Sequence, residues 1–588
     1  MPEKPTLRHA RDLLKRDFGY AQFRPGQERA VESVLEGRDT LVVLPTGGGK
    51  SLCFQVPALL LPGLTVVVSP LISLMKDQVD TLAGRGLPAS YINSTLTAGE
   101  VSHRLAAAQR GAVKLLYAAP ERLESGRLLG RLASIGVSLL AVDEAHCISE
   151  WGHDFRPSYL RLSRVRAELG EPATIALTAT ATPMVRRDIV EQLGLRRPTT
   201  IVTGFDRKNL VYRVAPCKTN AEKDRFLIAA LRKIDGPAVV YASTRRDVDR
   251  LGRVLQASRI AAISYHAGLN DLQRRDVQEI FMGDRATVMV ATNAFGMGID
   301  KRNVRLVIHY AMPGTIESYY QEAGRAGRDG ATSDCVLLHA YPDRFTHEFF
   351  ISSAYPSRET VELIYRRLCN AGGRDNLLAA DPASLTTLVG GKVKEREAES
   401  AVKILARAGA VVIASPTASR IFVRLLATPA RIKRELGEAD LTELELLRAL
   451  WRAASSRLHD GALIDPEGLP PGFGGAAGVT TILDLLQKQQ FVAWSRSGGG
   501  LRVPHPEKPL SAFAIDWDML ARHEREDRAG LDTMQRYAYT TGCRRAFILR
   551  YFGDSSARAA CTGCDNCLHE SSGKVQRARG GRKGGCRV

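Results

Sequence analysis

The first 345 residues repeat one pattern, in which short apolar runs alternate with segments of helical periodicity. The apolar runs form two series, at 41–44, 65–68, 114–118, 139–142 and 174–177, and then at 238–242, 261–265, 287–291, 306–310 and 335–339. Continuous apolar strands separated by helices are typical of buried parallel sheets built from βαβ units. The pattern therefore predicts an α/β protein with two tandem parallel-sheet lobes, 1–205 and 206–345, joined near Phe205-Asp206-Arg207.

Helical patterns followed by pairs of short apolar stretches occupy the next part of the chain. The amphipathic segments 357–368 and 394–408 precede the stretches 411–414 and 421–425, and a similar order recurs at 441–454, 480–489 and 491–503. Helices followed by a hairpin are typical of winged-helix units, so we expect two such units, at 350–430 and 431–515. A winged helix can bind duplex DNA or dock another protein. Neither hairpin tip carries an aromatic residue.

A glycine-rich segment follows the first apolar run, with the sequence Leu44-Pro45-Thr46-Gly47-Gly48-Gly49-Lys50-Ser51. A glycine-rich turn between a strand and a helix aims several backbone N–H groups, and the positive end of the helix dipole, at one point. We expect this loop to hold nucleotide phosphates, with Lys50 on the β/γ oxygens and Ser51 on Mg²⁺. Leu44 stands where the strict pattern has its first glycine, and a purely structural turn is the alternative.

Two further motifs complete the chemistry. The apolar run 139–142 ends in Asp143 and Glu144, which should lie at the carboxyl edge of the sheet, where Asp143 would hold Mg²⁺ and Glu144 would orient the attacking water. Arg325 and Arg328 are three residues apart, so on a helix they would share a face and could meet a γ-phosphate. The alternatives are an exposed acidic strand end and a solvated basic helix. Together, the motifs favour an ATP-driven nucleic-acid motor.

Composition fits this interpretation. The length of 588 residues suggests about four domains, and the formal net charge of +19 favours a polyanionic partner. No apolar run reaches the ~20 residues of a membrane span, and the N-terminus lacks the apolar core of a secretory signal. We therefore expect a cytoplasmic, nucleoid-associated protein with reduced thiols and no membrane partner.

Four of the ten cysteines are clustered, at Cys543, Cys561, Cys564 and Cys567. Four thiolates at this spacing can close a tetrahedral Zn²⁺ shell, which marks a structural site. Disulfides do not suit a reducing compartment, and unrelated core cysteines are the remaining alternative.

The glycine-rich, carboxylate and arginine motifs resemble those of a superfamily 2 helicase with a DEAH box. The sequence that flanks them resembles the RecQ family of DNA helicases. The resemblance rests on motifs at 18–27, 69–78, 143–157, 177–182, 265–269, 291–301 and 319–330. It implies RecA-like lobes, ATP as the nucleotide, 3′→5′ travel on single-stranded DNA and a role in recombination and repair. It also implies that Gln27 recognises adenine, in a pocket shaped by Phe18 and Arg24.

The segment around the cysteines resembles the zinc-binding subdomain of the RecQ family, and we expect it at 520–570. In the best-known members this subdomain directly follows the second lobe, whereas here it comes after the predicted winged-helix units, and we expect a variant without the usual C-terminal HRDC module. This departure leaves the docking of the accessory domains open. The basic tail 571–588 is expected to be disordered and to bind phosphates loosely.

An aromatic-rich loop lies just beyond the DEAH box, as the resemblance implies. Aromatic faces stack on unpaired bases without reading sequence, and arginine adds backbone contacts. We expect DNA contacts from Trp151, His153, Phe155, Arg156 and Tyr159. Packing of the aromatics in a lobe core is the alternative.

Together with the family resemblance, which alone supplies the direction of travel, the sequence predicts an ATP- and Mg²⁺-dependent 3′→5′ DNA helicase with a structural Zn²⁺, acting on single-stranded and duplex DNA. A monomer fits the sequence, and the oligomeric state stays open at this point. The winged-helix units are then expected to grip the duplex. Three alternatives remain: an RNA-remodelling ATPase, a DNA-stimulated translocase that does not unwind, and a non-catalytic DNA-binding scaffold.

Overall fold

The computed structural model describes residues 5–93, 96–152, 154–296, 301–371, 378–379, 382–414, 421–436, 440–496 and 500–568. Several predicted features lie outside the described residues: His153, residues 297–300 of the 291–301 motif, both predicted hairpin tips, and the basic tail. By contacts the chain divides into two compact units, one formed by 1–347 with 526–588 and the other by 348–525. Among the described helices, none is long and apolar enough to cross a membrane.

The first lobe is a seven-stranded parallel sheet with the order β3-β4-β2-β5-β6-β1-β7. Its strands are β1 (Thr40–Val43), β2 (Leu64–Val68), β3 (Ala89–Ile92), β4 (Leu115–Ala118), β5 (Val137–Val142), β6 (Ala173–Thr178) and β7 (Thr199–Val202). Its helices are α1 (Leu7–Phe18), α2 (Gln27–Leu35), α3 (Leu52–Leu60), α4 (Ile72–Ala83), α5 (Ala98–Gln109), α6 (Gly126–Ile135), α7 (Leu162–Glu168) and α8 (Pro183–Gln192). β1 and β5 are parallel, so their carboxyl ends lie at the same edge of the sheet. Only β6 separates them, so these ends are also close together.

The second lobe is a six-stranded parallel sheet with the order β10-β11-β9-β12-β13-β8. Its strands are β8 (Leu210–Pro216), β9 (Ala238–Tyr241), β10 (Ala262–Tyr265), β11 (Val288–Ala291), β12 (Leu306–His309) and β13 (Ser333–His339). Its helices are α9 (Asn220–Lys233), α10 (Arg245–Ala257), α11 (Asp271–Met282) and α12 (Ile316–Ala323), and α13 (Asp343–Ala354) leads out of the lobe. The predicted pair of α/β lobes is confirmed.

The unit 348–525 contains two three-stranded sheets, β14-β19-β15 and β17-β16-β18. Its strands are β14 (Leu378–Ala379), β15 (Val412–Ala414), β16 (Ile421–Leu425), β17 (Ala462–Ile464), β18 (Val492–Arg496) and β19 (Gly500–Arg502). Its helices are α14 (Arg358–Ala371), α15 (Pro382–Leu388), α16 (Glu395–Arg407), α17 (Pro429–Glu435), α18 (Leu441–Ala454), α19 (Arg457–Asp460) and α20 (Gly475–Lys488). The four amphipathic helices that the sequence predicts here are present.

Both predicted hairpins are wrong. β15 pairs with β19 and β16 pairs with β18, antiparallel in each case. Each strand of one predicted hairpin therefore pairs with a strand of the other predicted hairpin. The same exchange appears in the two apolar cores, since Leu501 packs with the first group of helices and Ile421 with the second. The two winged-helix units therefore stay a proposal, with strands that cross their predicted boundary.

The chain rejoins the first unit through α21 (Trp517–Tyr539), which is followed by α22 (Arg544–Tyr551) and the cysteine-rich end of the described chain. We call residues 526–568 the cysteine module. Although 178 residues separate it from the second lobe in sequence, it packs directly on that lobe, which answers the question of its docking.

Candidate active site

A cleft of about 640 Å³ lies between the two lobes of the first unit. It collects nearly all the residues that the sequence assigns to the nucleotide, from both lobes: Phe18, Arg24, Gln27, Thr46, Gly47, Gly49, Lys50, Ser51, Asp143, Glu144, Arg325 and Arg328. Gly48 does not line the cleft but belongs to the same loop. The fold thus brings the two ends of the predicted site together across the lobe boundary.

The phosphate loop, residues 44–51, connects β1 to α3 and is held through its carbonyl groups. Gln27 Nε2 donates to the carbonyls of Gly48 and Gly49, at 2.9 and 3.0 Å. Arg24 donates to the carbonyl of Gly47. Gly49 has φ +73°, and a Cβ there would lie 2.5 Å from Gln27 Nε2, so this position requires glycine. Gln27 and Arg24 therefore shape the loop itself as well as the wall of the cleft.

The two carboxylates follow β5 directly. Asp143 is 6% exposed, and burial, followed by the negative charge of Glu144, raises the pKa of its carboxyl to about 7. Glu144 has φ +46°, a left-handed conformation that costs a non-glycine residue free energy and is often found at functional sites. Its Oε2 lies 3.4 Å from Nδ1 of the buried His146. The buried Asp143 and the partly buried Glu144, beside Lys50, fit a divalent cation, which would relieve the repulsion between the two carboxylates.

The two arginines approach from the second lobe, but not on a helix. α12 ends at Ala323, so Arg325 and Arg328 lie in the turn that follows it, and the predicted common helix face is wrong. Gly327, with φ +55°, sets this turn. Arg325 is only 7% exposed, and among the described residues its Nε and Nη1 have no hydrogen-bond partner. Buried donors without acceptors are costly, so this guanidinium fits an anionic ligand such as a phosphate.

A side-chain bond that the motifs alone did not assign joins the lobes near the cleft. Gln321 Nε2 donates to Thr180 Oγ1 at 3.2 Å. Both residues belong to segments that carry the family resemblance, but nothing in their spacing shows that these segments meet.

The four predicted zinc ligands form one cluster in the cysteine module. The sulfur atoms of Cys543, Cys561, Cys564 and Cys567 all lie within 4.8 Å of one another. Backbone N–H groups of Ala546 and Gly563 donate to Cys543 and Cys561, each at 3.4 Å. Four soft sulfur donors with N–H···S support fit a closed Zn²⁺ site.

The cysteine module is hydrogen-bonded to β8, one of the two edge strands of the second lobe's sheet. Tyr212 N donates to Gly563 O at 3.0 Å and Val214 N donates to Asp565 Oδ2 at 2.8 Å. Tyr212 also forms a parallel bridge with Cys564. The cysteine loop therefore continues the sheet beyond its own edge.

The aromatic-rich loop divides into exposed and buried parts. Trp151 is 38% exposed and Phe155 is half-buried, so both can offer ring surface to a base. Arg156 already bonds to Asp154 and to the carbonyl of Pro70. Tyr159 is fully buried and donates to the carbonyl of Asp143 at 3.1 Å, so its expected contact with DNA is wrong. It links the loop to the carboxylates.

Comparison with known proteins gives the family. The DEAD/DEAH box helicase family matches residues 24–189, the helicase conserved C-terminal domain matches 222–330, and the RecQ zinc-binding family matches 512–568. A probable ATP-dependent DNA helicase RecS of Bacillus subtilis is 42% identical over 61% of this chain and 72% of its own length. This chain belongs to the RecQ family of helicases.

Other RecQ-family relatives are matched over less of their length. The ATP-dependent DNA helicase RecQ of Bacillus subtilis is 49% identical over 59% of each chain, and that of Pasteurella multocida is 42% identical over 62% of this chain and 57% of its own. This RecQ-family chain thus spans less than three fifths of the length of these two relatives.

Solved structures resemble the RecQ-family chain more distantly. The DUF1998 helicase MrfA bound to DNA has a TM-score of 0.48 at 20% identity, covering 60% of this chain and 51% of its own. The DEAD-box helicase Mss116 bound to single-stranded RNA has a TM-score of 0.49 at 16% identity, covering 61% and 82%.

Proposed function

We propose that this protein is an ATP- and Mg²⁺-dependent DNA helicase that travels 3′→5′ on single-stranded DNA and acts in recombination and repair, at the nucleoid in the cytoplasm. One observation carries the proposal. Lys50 and the carboxylates of the first lobe line the same cleft as the two arginines of the second lobe. The RecQ-family relatives, whose names state DNA helicase activity, support DNA as the polymer.

In this proposal, Gln27 recognises adenine, with Phe18 and Arg24 beside it. Thr46, Gly47, Gly48 and Gly49 cradle the phosphates, and Lys50 binds the β/γ oxygens. Ser51 and Asp143 would hold Mg²⁺, which neutralises charge on the transferred phosphoryl group when bound. Adenine binding by Gln27 would replace its bonds to Gly48 and Gly49, so nucleotide binding would also release the phosphate loop.

Glu144 would orient the attacking water, while Arg325 and Arg328 would stabilise the charge that develops on the γ-phosphate. Because these arginines belong to the other lobe, hydrolysis would depend on lobe closure. A cycle of closure and opening against a bound strand is the means of translocation that we propose.

DNA contacts are proposed for Trp151, His153, Phe155 and Arg156. Bases would stack on the two rings. Tyr159 donates to the carbonyl of Asp143. Through this hydrogen bond, a DNA strand bound at the loop would affect the positions of the carboxylates. The unit 348–525 is proposed to grip duplex DNA, and Zn²⁺ is proposed as the structural ion of the four cysteines.

The deciding experiment is strand displacement with ATP and Mg²⁺ on two duplexes, one with a 3′ tail and one with a 5′ tail. ATP hydrolysis is measured in the same samples, and Lys50→Ala serves as the inactive control. We expect displacement of the 3′-tailed duplex alone. DNA-stimulated hydrolysis without displacement would indicate a translocase, and stronger stimulation by RNA would indicate RNA remodelling. No hydrolysis at all would leave a DNA-binding scaffold.

A further inference from the structure

One arginine in the segment between the lobes bonds to both halves of the cleft. Arg207 Nη1 donates to Thr46 O at 2.9 Å and to Gly324 O at 3.1 Å. Its Nη2 donates to Ala326 O at 2.9 Å and to Gly327 O at 3.0 Å. A single guanidinium therefore joins the phosphate loop to the turn that carries Arg325.

The two loops that Arg207 joins are in close contact. A Cβ added to Gly324 would lie 3.3 Å from Thr46 Cβ, and one added to Gly47 would lie 3.5 Å from Arg328 Cγ. Arg207 is not among the residues that line the cleft. Its bonds go to backbone carbonyls, so it acts on the positions of other groups.

Arg207 is itself held by the cysteine module. Arg545 of α22 donates to the carbonyl of Arg207 at 2.8 Å and to that of Leu210 at 2.6 Å. It also forms an ion pair with Asp206. Arg545 is two residues from Cys543, whose sulfur caps the start of α22. A continuous set of bonds thus runs from the cysteine cluster through the interlobe segment to the phosphate loop.

We propose that Arg207 is a positioning residue that sets the arginine turn against the phosphate loop, and that Arg545 holds Arg207 in place. This inference rests on the proposed ATP hydrolysis. Displacement of a reacting group by about 1 Å can cost about 10²-fold in rate. A guanidinium can satisfy four carbonyls from one plane, whereas the compact ammonium of lysine has only three donors.

The test compares Arg207→Gln with Lys208→Gln, a matched change at the exposed neighbouring residue. We expect Arg207→Gln to lower kcat for ATP about 10–100-fold with little change in the Kd for a fluorescent ATP analogue, and Lys208→Gln to match the wild type. Because Arg207→Gln could fail to fold, Arg207→Lys is measured as well. We expect its kcat to be lowered too, and a folded Arg207→Lys protein with wild-type kcat would overturn the proposal.

A double-mutant cycle separates positioning from general stability. If Arg207 acts through the arginine turn, Arg207→Gln should add little to the loss of kcat already caused by Arg325→Ala. An equal loss of kcat from Arg207→Gln in both backgrounds would overturn the proposal. A wild-type protein without ATP hydrolysis would instead refute the proposed function, so the two failures are distinguishable.

Discussion

Phe552 stacks on Phe205 with the ring centroids 4.5 Å apart and the planes within 10° of parallel. Phe552 immediately follows α22, and Phe205 is the last residue of the predicted first lobe. The Phe205 N–H donates a hydrogen bond to Asp554 Oδ2 at 2.7 Å. The cysteine module is therefore built into the junction of the two lobes.

Removal of this stack should destabilise the first unit. Both rings are almost fully buried, so Phe552→Ala leaves a cavity and should lower the unfolding free energy by about 3–5 kcal/mol. Thermal unfolding measures the loss. Tyr539→Ala, at a 57% exposed ring of the same module, is the control. Equal effects of the two changes would mean that the stack contributes nothing of its own.

Loss of the proposed metal should lower ATP hydrolysis in the cleft. Without the proposed Zn²⁺ the four sulfur atoms lose the ion that ties them together. We therefore expect Cys564→Ser to lower both the bound zinc, measured by mass spectrometry, and kcat for ATP. Cys217→Ser, at a half-buried cysteine outside the cluster, should retain both. A zinc-free Cys564→Ser protein with unchanged hydrolysis would separate the cluster from the active site.

The buried carboxylate Asp143 should make stability depend on pH in the absence of nucleotide and Mg²⁺. Burial raises the pKa of this group from 3.8 to about 7, so its charge is unfavourable in the folded protein above pH 7. Asp143→Asn should therefore stabilise the protein by about 2–4 kcal/mol at pH 8, although it should abolish hydrolysis. The gain should shrink as the pH falls from 7 towards 4, because the folded protein then takes up a proton there. Thermal unfolding at pH 8 and pH 5 measures it, with exposed Asp235→Asn as the control.

Trp151 should couple DNA to hydrolysis. We expect Trp151→Ala to lower stimulation of ATP hydrolysis by single-stranded DNA about tenfold or more, since base stacking contributes about 1–3 kcal/mol. Hydrolysis without DNA should remain. Trp451→Ala changes a comparably exposed tryptophan, 42% against 38%, in the other unit. If both variants keep the wild-type stimulation ratio, Trp151 is not a stacking residue.

All ten apolar runs in the sequence became strands of the two lobes, but three strands gave no such run. These are β3, β7 and β8, and each is at the edge of its sheet. Edge strands are covered on fewer sides, and these three strands mix buried residues with residues that are partly buried or exposed. A search for continuous apolar runs finds strands that are buried on both faces and can miss edge strands, although the edge strand β10 did give a run.

The errors elsewhere also have physical causes. The register of β15 against β19 and of β16 against β18 depends on partners 67–90 residues away, and alternating patterns do not identify the partner strand. Arg207 could not be assigned from sequence, because its role depends on carbonyl groups, which every residue has. The residues of the cleft were easier to predict, because glycine, lysine and paired carboxylates at strand ends are required by the chemistry of phosphate binding.

The cysteine loop also protects an exposed sheet edge. It satisfies the outward-facing N–H groups of Tyr212 and Val214, while Arg545 covers the carbonyl of Leu210. An uncovered edge strand is a template on which another chain can add a strand. Loss of the proposed metal would therefore expose the edge of β8 as well as destabilise the module. The exposed edge would make the chain prone to aggregate. The proposed Zn²⁺ would then protect the chain from aggregation as well as hold the module together.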